Sequence, residues 1–132
     1  MELTDLVGLR RSVEIRVDAS LTASAVGSGG VDVLATPSMV LLFEKAARDA
    51  VQGSLPEGFT TVGTRVDIQH VSATPVGEMV TVTAAVTEAC GRRLVFRVRA
   101  ADRLGTVGSG IHERYVVDLE EFMDRTSRKY SE

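Results

Sequence analysis

The sequence predicts an α+β domain in which a strongly curved antiparallel sheet of about five strands folds around one buried helix. One long stretch, residues 33–51, repeats apolar side chains at helical spacing. The segments around it alternate apolar and polar residues with a period of two, as half-buried strands do. Short turns separate most of these segments. Together these observations favour a sheet packed on a single central helix.

The stretch 33–51 has the start and stop signals of a helix. Thr36 occupies the expected N-cap position, where its oxygen would accept a bond from a free backbone N–H. Pro37 would be the first helical residue, where no N–H is needed. Glycine and proline within residues 52–58 are stop signals. One acid, Glu44, lies among the apolar residues. The apolar stripe consists of Met39, Leu42, Phe43, Ala46, Ala47 and Ala50.

Five segments of the chain alternate with a period of two. They are residues 13–17, 60–71, 78–90, 93–101 and 106–117. Tight turns between consecutive segments predict an antiparallel meander. In the second segment, His70 lies in phase with the apolar Val62, Val66 and Ile68.

The remaining segments are expected to be short connections or a tail. Residues 21–26 have an ambiguous pattern that an extended chain would also fit, and the glycine-rich residues 27–30 are expected to form a flexible loop. Residues 118–132 form a C-terminal helix or tail, which Leu119, Phe122 and Met123 would dock. The whole chain, residues 1–132, is expected to be one domain.

Composition excludes several functional classes. The chain of 132 residues has a net charge of −3 and no tryptophan, so neither a nucleic-acid partner nor base stacking is expected. No apolar run is long enough to span a membrane. A single cysteine, Cys90, cannot form an internal disulfide, which favours the cytoplasm. An open sheet leaves edge strands with unpaired backbone groups, and such edges commonly pair with a second copy of the chain. We therefore expect a homodimer.

A few polar residues are candidates for chemistry, and each also has a structural interpretation. His70 can be a general base or a core histidine bonded to a carbonyl. Glu44 can act on a substrate or pair with Arg48 at the helix surface, and Thr36 can be a simple cap. His112 and Arg114 can be solvated strand residues. Taken one at a time, these residues leave both interpretations open.

Two other kinds of site are not expected. Two histidines and one cysteine lack metal-ligand spacing, so no metal is predicted. Ser109 lies between two glycines but lacks the GxSxG pattern of a serine hydrolase, and it falls within a predicted strand.

Four motifs follow one another in order through residues 31–123. They are VLATPSMV with FEKA, VGTRVDIQHVSATPVG, GRRLVF and HER. In this combination and order, the chain resembles the hotdog-fold thioesterases, and among them the fluoroacetyl-CoA thioesterase-like family. The resemblance implies a dimeric hotdog fold, with a dimer of dimers left open. It also implies hydrolysis of an acyl-CoA thioester to a free acid and CoA, with no cofactor beyond the CoA of the substrate.

The resemblance also implies the site residues. The helix-start threonine, the helix glutamate and the strand histidine of the family's catalytic set correspond to Thr36, Glu44 and His70. The glycine of the VGT stretch corresponds to Gly63 and the arginine of HER to Arg114, both as substrate-binding residues. The start of the central helix offers free N–H groups for the oxyanion.

The chain departs from the family pattern before the central helix. The fluoroacetyl-specific enzyme has a longer segment there, with phenylalanines that cover the acyl pocket, whereas this chain has Gly27, Ser28, Gly29 and Gly30. We therefore expect a more open pocket and a different, larger acyl group. Two other functions stay open: an acyl-thioester hydratase or dehydratase of the same fold, and a non-catalytic acyl-CoA-binding module.

The spacing of two candidate residues constrains the site. Thr36 and Glu44 are eight residues apart, so in one continuous helix their Cα atoms lie ~12 Å apart. We expect either that the site is completed across the dimer or that Thr36 lies off the helix in a bent approach. The sequence leaves open whether Thr36 is a nucleophile or positions water, and whether Glu44 orients His70 or is itself the base.

Overall fold

A computed structural model describes residues 2–131 of the chain. Eight helices and strands follow one another in these residues, together with short 3₁₀ turns at Thr4–Leu6 and Ala19–Leu21. In chain order they are β1 (Arg10–Arg16), α1 (Ala23–Val26), α2 (Thr36–Gln52), β2 (Phe59–His70), β3 (Met79–Cys90), β4 (Arg93–Asp102), β5 (Gly105–Asp118) and α3 (Leu119–Lys129).

The five strands form one antiparallel sheet in the order β1-β3-β4-β5-β2. Helix α2 packs on one face of this sheet and contacts β1, β2, β3 and β4. The α+β class and the sheet-on-helix arrangement are thus confirmed. The central helix is accompanied by the short α1 and by α3, so it is one of three α-helices in residues 2–131.

The expected meander is wrong for β2. Strands β3, β4 and β5 follow one another through tight turns, but β2 pairs with β5 at the far edge of the sheet. The connection through residues 71–78 therefore crosses the sheet to reach β3. This crossing is held by backbone pairing with the segment before α2: the N–H of Leu34 donates to the carbonyl of Thr74 at 2.8 Å, and Val33 bridges Pro75.

The apolar stripe of α2 forms the centre of the core. Met39, Phe43 and Ala47 are at most 1% exposed and pack against inward-facing strand residues such as Phe96 and Val98. Burying each large apolar side chain contributes about 1.5–3 kcal/mol. Of the predicted stripe, only Ala50 is not fully buried.

Helix α2 spans Thr36–Gln52 and thus begins one residue before Pro37, the predicted first helical residue. Residues 33 and 34, at the beginning of the predicted stretch 33–51, are extended instead, because they pair with the crossing segment. The N-cap is Ala35, and Thr36 is already the first helical residue. The predicted cap role of Thr36 is therefore wrong, and its side chain makes no capping bond.

The structure also decides the shorter segments. Residues 23–26, whose sequence pattern is ambiguous, form the helix α1, because Thr22 Oγ1 accepts from the N–H of Ala25 at 3.3 Å and caps it. Gly27 then ends α1 in a left-handed conformation with φ of 80°. The C-terminal helix α3 forms, and of its three predicted docking residues Phe122 is partly buried, whereas Leu119 and Met123 are half-exposed. No helix in residues 2–131 is long and apolar enough to cross a membrane.

Candidate active site

Thr36 and His70 meet where α2 begins and β2 ends. The Thr36 Oγ1 atom lies 2.7 Å from His70 Nδ1. Thr36 is positioned by the backbone pairing of residues 33–35, and Ala35 itself is bonded to the carbonyl of Leu21. His70 is the last residue of β2 and lies opposite Gly108 of β5. A hydroxyl in hydrogen-bond contact with an imidazole is the arrangement of a nucleophile and its base.

The second nitrogen of the His70 ring is enclosed by protein. His70 Nε2 is buried and has no hydrogen-bond partner within residues 2–131. Such an unsatisfied buried atom costs about 1–3 kcal/mol. Among the described residues, the ring therefore forms a hydrogen bond only through Nδ1, to Thr36.

The Thr36–His70 pair lies in the wall of an open cleft of about 370 Å³. Small and aliphatic residues line the rest of the cleft, among them Ala23, Ser28, Gly29 and Val31. The start of α2 also lies in this wall. The N–H groups of Thr36 and Ser38 have no hydrogen-bond acceptor among the described residues, and the helix dipole adds positive potential there. Of the two, Thr36 lines the cleft. The cleft thus combines a hydroxyl and an imidazole with the start of a helix that has free backbone donors.

Glu44, Gly63 and Arg114 form a second cluster. Glu44 Oε2 lies 3.6 Å from Arg114 Nη1, and the Glu44 side chain is 39% exposed, whereas that of Arg114 is 7% exposed. A Cβ atom on Gly63 would lie 2.6 Å from Glu44 Oε2 and 3.3 Å from Arg114 Nη1. The missing side chain of Gly63 therefore leaves the space that the carboxylate occupies.

A β-bulge determines which residues of β2 face this cluster. The pairing of β2 with β5 shifts between Gly63 and Arg65. Before the bulge, Thr61 and Gly63 face α2, whereas after it Val66, Ile68 and His70 do. The expectation that Val62 shares a face with His70 is therefore wrong, because one extra residue in the strand reverses the alternation.

His112 and Arg114 are buried, so the interpretation as solvated strand residues, one of the two that the sequence left open, is wrong. Their side chains are on the face of β5 that packs toward α2, with residue exposures of 1% for His112 and 6% for Arg114. Arg114 donates from Nε to Thr61 Oγ1 at 2.8 Å and from Nη2 to the Thr61 carbonyl at 3.0 Å. His112 is among the candidate residues of the sequence but has no place in the predicted site. His112 and Arg114 are two residues apart in one strand and therefore share a face. This spacing is the feature of the sequence that could have placed His112 near the site.

The two clusters lie at different places along β2. Gly63 is near the start of this strand and His70 is its last residue, which corresponds to roughly 20 Å of strand. Within one chain, the structure brings Thr36 and His70 together and brings Glu44, Gly63 and Arg114 together, but it does not join the two groups. Because Thr36 is in α2 itself, the expected bent approach outside the helix is wrong.

Four arginines of β2 and β4 lie on the face of the sheet that is opposite these two clusters. Arg97 and Arg99 point from β4 to the face of the sheet that is opposite α2. Arg65 and Arg93 form ion pairs with Glu113 on that same outer face, at 2.9 and 3.2 Å. Hydrogen bonds from these two arginines lower the pKa of the Glu113 carboxyl. No group of three or more His, Cys, Asp or Glu residues that could hold a metal ion occurs in the described part of the chain.

Comparison with known proteins gives one consistent family. A family profile described as fluoroacetyl-CoA-specific thioesterase matches residues 17–120. The fluoroacetyl-CoA thioesterase of Streptantibioticus cattleyicolor is 43% identical over 98 residues, which cover 74% of this chain and 70% of that protein. The chain belongs to the fluoroacetyl-CoA-specific thioesterase family. It is a thioester hydrolase.

Solved structures agree with this assignment. A structure of the fluoroacetyl-CoA thioesterase superposes with a TM-score of 0.86 at 36% identity, covering 96% of this chain and 97% of that one. A hot-dog-like protein from Thermanaerovibrio acidaminovorans superposes with a TM-score of 0.93 at 27% identity, covering 100% and 99%. A thioesterase superfamily member from Thermus thermophilus gives 0.85 at 28% identity, covering 92% and 90%. The fold is therefore the hotdog fold.

Proposed function

We propose that this protein hydrolyses acyl-CoA thioesters at a site formed by Thr36 and His70 of one protomer and Glu44 of the partner subunit. The observation that carries the proposal is the 2.7 Å contact between Thr36 Oγ1 and His70 Nδ1, placed at a helix start and in the wall of an open cleft. A related fluoroacetyl-CoA thioesterase has been solved with fluoroacetate and CoA, which supports the substrate class.

The free edge of the sheet supports a homodimer. Strand β2 is an edge strand, and Val66 is 42% exposed although it points to the side of α2. Two copies of β2 that pair antiparallel about their middle bring the His70 end of one strand next to the Gly63 end of the other. Glu44 lies at the Gly63 end. Such a dimer joins the two clusters that one chain keeps apart.

The chemistry follows from these positions. The Thr36 hydroxyl donates to His70 Nδ1, and two routes start from this contact. In the first, the imidazole takes the hydroxyl proton as Oγ1 attacks the thioester carbonyl, and the CoA thiolate leaves. A water molecule that gives its proton to Glu44 of the partner subunit then attacks the acyl-threonine, which releases the acid and returns the proton from His70 to Oγ1.

In the second route, Thr36 keeps its proton and holds the water, Glu44 of the partner subunit takes a proton from that water as it attacks the carbonyl, and the CoA thiolate leaves. In both routes, the free N–H groups at the start of α2 stabilise the oxyanion. CoA is part of the substrate, and the proposal needs no further cofactor.

We place the enzyme in the cytoplasm and propose an acyl group larger than fluoroacetyl. The lone Cys90, which cannot form an internal disulfide, supports a reducing compartment. The open cleft beside Thr36 and its small lining residues support the larger acyl group, because nothing bulky among them closes over a short one. A higher kcat/KM for fluoroacetyl-CoA than for longer acyl-CoA substrates would overturn this part of the proposal.

The activity is tested by measuring thiol release from a series of acyl-CoA substrates. Thr36→Ala, His70→Ala and Glu44→Ala are expected to lower kcat by roughly 100-fold or more. Glu57→Ala is the matched control, because Glu57 is exposed in the turn before β2. A hydratase would leave the thioester intact, and a binding module would show binding without turnover, so either result contradicts the proposal.

The dimeric site is tested by mixing two inactive variants. Refolding Glu44→Ala together with His70→Ala produces mixed dimers in which one site has all three side chains intact. The expected recovery is about one quarter of wild-type activity, since about half of the dimers are mixed and each has one working site. No recovery would place all three residues of a working site in a single chain.

A further inference from the structure

A buried histidine lies outside the Thr36–His70 pair. His112 is 1% exposed, and its ring centroid lies 6.1 Å from that of Phe96 in the core. It forms no hydrogen bond with Thr36 or His70, and the proposed reaction gives it no role. Both ring nitrogens nevertheless have hydrogen-bond partners, which makes the orientation of the ring specific.

The partners of His112 determine where its proton lies. Nδ1 is 2.8 Å from the backbone carbonyl of Arg65, and a carbonyl oxygen can only accept, so Nδ1 has the hydrogen. Nε2 is then a bare acceptor in the neutral ring, and Arg114 Nη1 donates to it at 3.2 Å. Burial lowers the pKa of His112, and the neighbouring Arg114 charge lowers it further. The ring is therefore neutral at neutral pH.

Arg114 is held on three sides by these contacts. Nε and Nη2 donate to Thr61, and Nη1 donates to His112, which together fix the plane of the guanidinium group. Nη1 also faces Glu44 Oε2 at 3.6 Å. Most of its N–H groups are thus directed at protein atoms, which leaves little for the substrate. Arg114 is better suited to presenting Glu44 than to binding the substrate directly.

The identity of residue 112 matters because of the charge beside it. A carboxylate at this position would pair with Arg114 and compete with Glu44, and a second cation would repel the guanidinium. A neutral histidine acceptor does neither. Glu44 is consequently the one carboxylate that forms an ion pair with Arg114 among residues 2–131.

We propose that His112 is a positioning residue of the thioesterase site, which holds Arg114 so that its guanidinium presents the Glu44 carboxylate. This inference rests on the proposed function of Glu44. Because His112 acts through Arg114 and Glu44, its removal should lower kcat while KM for the acyl-CoA changes little. A merely structural role would instead change stability.

Three variants separate these roles. His112→Phe keeps a ring in the core but removes both hydrogen bonds, and we expect kcat to fall roughly 10- to 100-fold. His112→Gln keeps an acceptor for Arg114 and should recover most of that loss. Phe96→Leu is the packing control, and at a similar loss of thermal stability its kcat should stay within about twofold of wild type. An unchanged kcat in folded His112→Phe would overturn the inference.

A double-mutant cycle tests the route through Glu44. In a Glu44→Gln background, His112→Phe should cause no further loss of kcat, because the group that it positions is already gone. A full additional loss would show that His112 acts independently of Glu44 and would overturn the proposal.

The hydrogen bonds of His112 can also be tested by a measurement that does not depend on enzyme activity. The inference about His112 can then fail separately from the proposed thioesterase function. Nitrogen NMR of the histidine rings should show the Nδ1–H tautomer for His112, and the Arg114 Nε–H signal should exchange slowly in wild type and faster in His112→Phe. An Nε2–H tautomer would contradict the inference even in an active enzyme. Absence of thiol release by a wild type with the expected spectra would contradict the function alone.

Discussion

The hydroxyl of Thr36 lies 2.7 Å from Nδ1 of His70, although 34 positions separate the two residues in sequence. The first residue of α2 and the last residue of β2 thus form one hydrogen-bonded pair. Each residue lies at the end of its own element. The crossing segment anchors the chain before Thr36 through the bond of Leu34 to Thr74, whereas the pairing of β2 with β5 opposite Gly108 positions His70.

The first prediction separates catalysis from stability at Thr36. Thr36→Ala should lower kcat roughly 100-fold or more but leave the melting temperature nearly unchanged, because Ala35 is the N-cap and the Thr36 side chain makes no capping bond. Loss of a true cap would cost about 1 kcal/mol. Thiol release and thermal unfolding are measured on the same samples, with Thr4→Ala as the control. A large loss of stability in Thr36→Ala would instead support the interpretation of Thr36 as the N-cap of α2.

The second prediction concerns the role of Thr36. If it is the nucleophile, a slow substrate should leave an acyl group on Thr36, which mass spectrometry of the quenched enzyme detects as a mass increase. Thr36→Ser should retain the adduct, and Thr36→Ala should lack it. If Thr36 positions water, no adduct forms at any time point while thiol is released.

The third prediction uses the space beside Gly63. A Cβ at this position would lie 2.6 Å from Glu44 Oε2, so Gly63→Ala should displace the carboxylate and lower kcat by roughly 10-fold or more. The carboxylate is the end of a flexible and partly exposed side chain, so the fold should tolerate the change. Gly53→Ala is the control, because nothing lies within 4 Å of its Cβ position. Wild-type kcat in Gly63→Ala would show that this contact is irrelevant.

The fourth prediction is a pH dependence of stability due to His112. Burial lowers its folded-state pKa below the ordinary value of 6.5, so the unfolded chain binds the proton more readily. The contribution of neutral His112 is fully present above pH 6.5 and decreases as the pH falls toward the folded-state pKa. The free energy of unfolding, measured with urea from about pH 8 to about pH 5, should decrease more steeply in wild type than in His112→Gln. Parallel profiles would contradict this origin.

The fifth prediction addresses the acyl group. Ser28→Phe places a ring in the lining of the cleft, so kcat/KM for long acyl-CoA substrates should fall at least about 10-fold relative to acetyl-CoA. Ser24→Phe is the matched control, because Ser24 is exposed on α1 and is not in the cleft lining. An equal effect of both variants on all chain lengths would place the acyl group elsewhere.

Local patterns in the sequence predicted most of the elements. The stripe from Met39 to Ala47 and the alternation of β3 and β4 each reflect neighbours in the chain, and these appear in the structure close to the predicted bounds. The pairing of β2 with β5 was not predictable in this way, because it joins distant segments across a crossing connection.

The site was predictable only in part, for two physical reasons. The bulge at Gly63 reverses which residues of β2 face the helix, but the apolar Val62, Val66 and Ile68 keep one phase across it, so the sequence pattern does not reveal the extra residue. His112 and Arg114 are polar, so their types indicate solvent, whereas Thr61 and the Arg65 carbonyl satisfy them inside the protein. The contact of Thr36 with His70 likewise depends on tertiary structure.

The backbone pairing of residues 33–35 has a consequence for how this enzyme can change over evolution. Hydrogen bonds to Thr74 and Leu21 anchor Leu34 and Ala35, and they do not involve the glycine-rich loop at residues 27–30. Substitutions in that loop can therefore reshape the cleft while the Thr36–His70 pair keeps its geometry. With the acyl group in this cleft, as proposed, new acyl preferences can arise without passing through inactive intermediates.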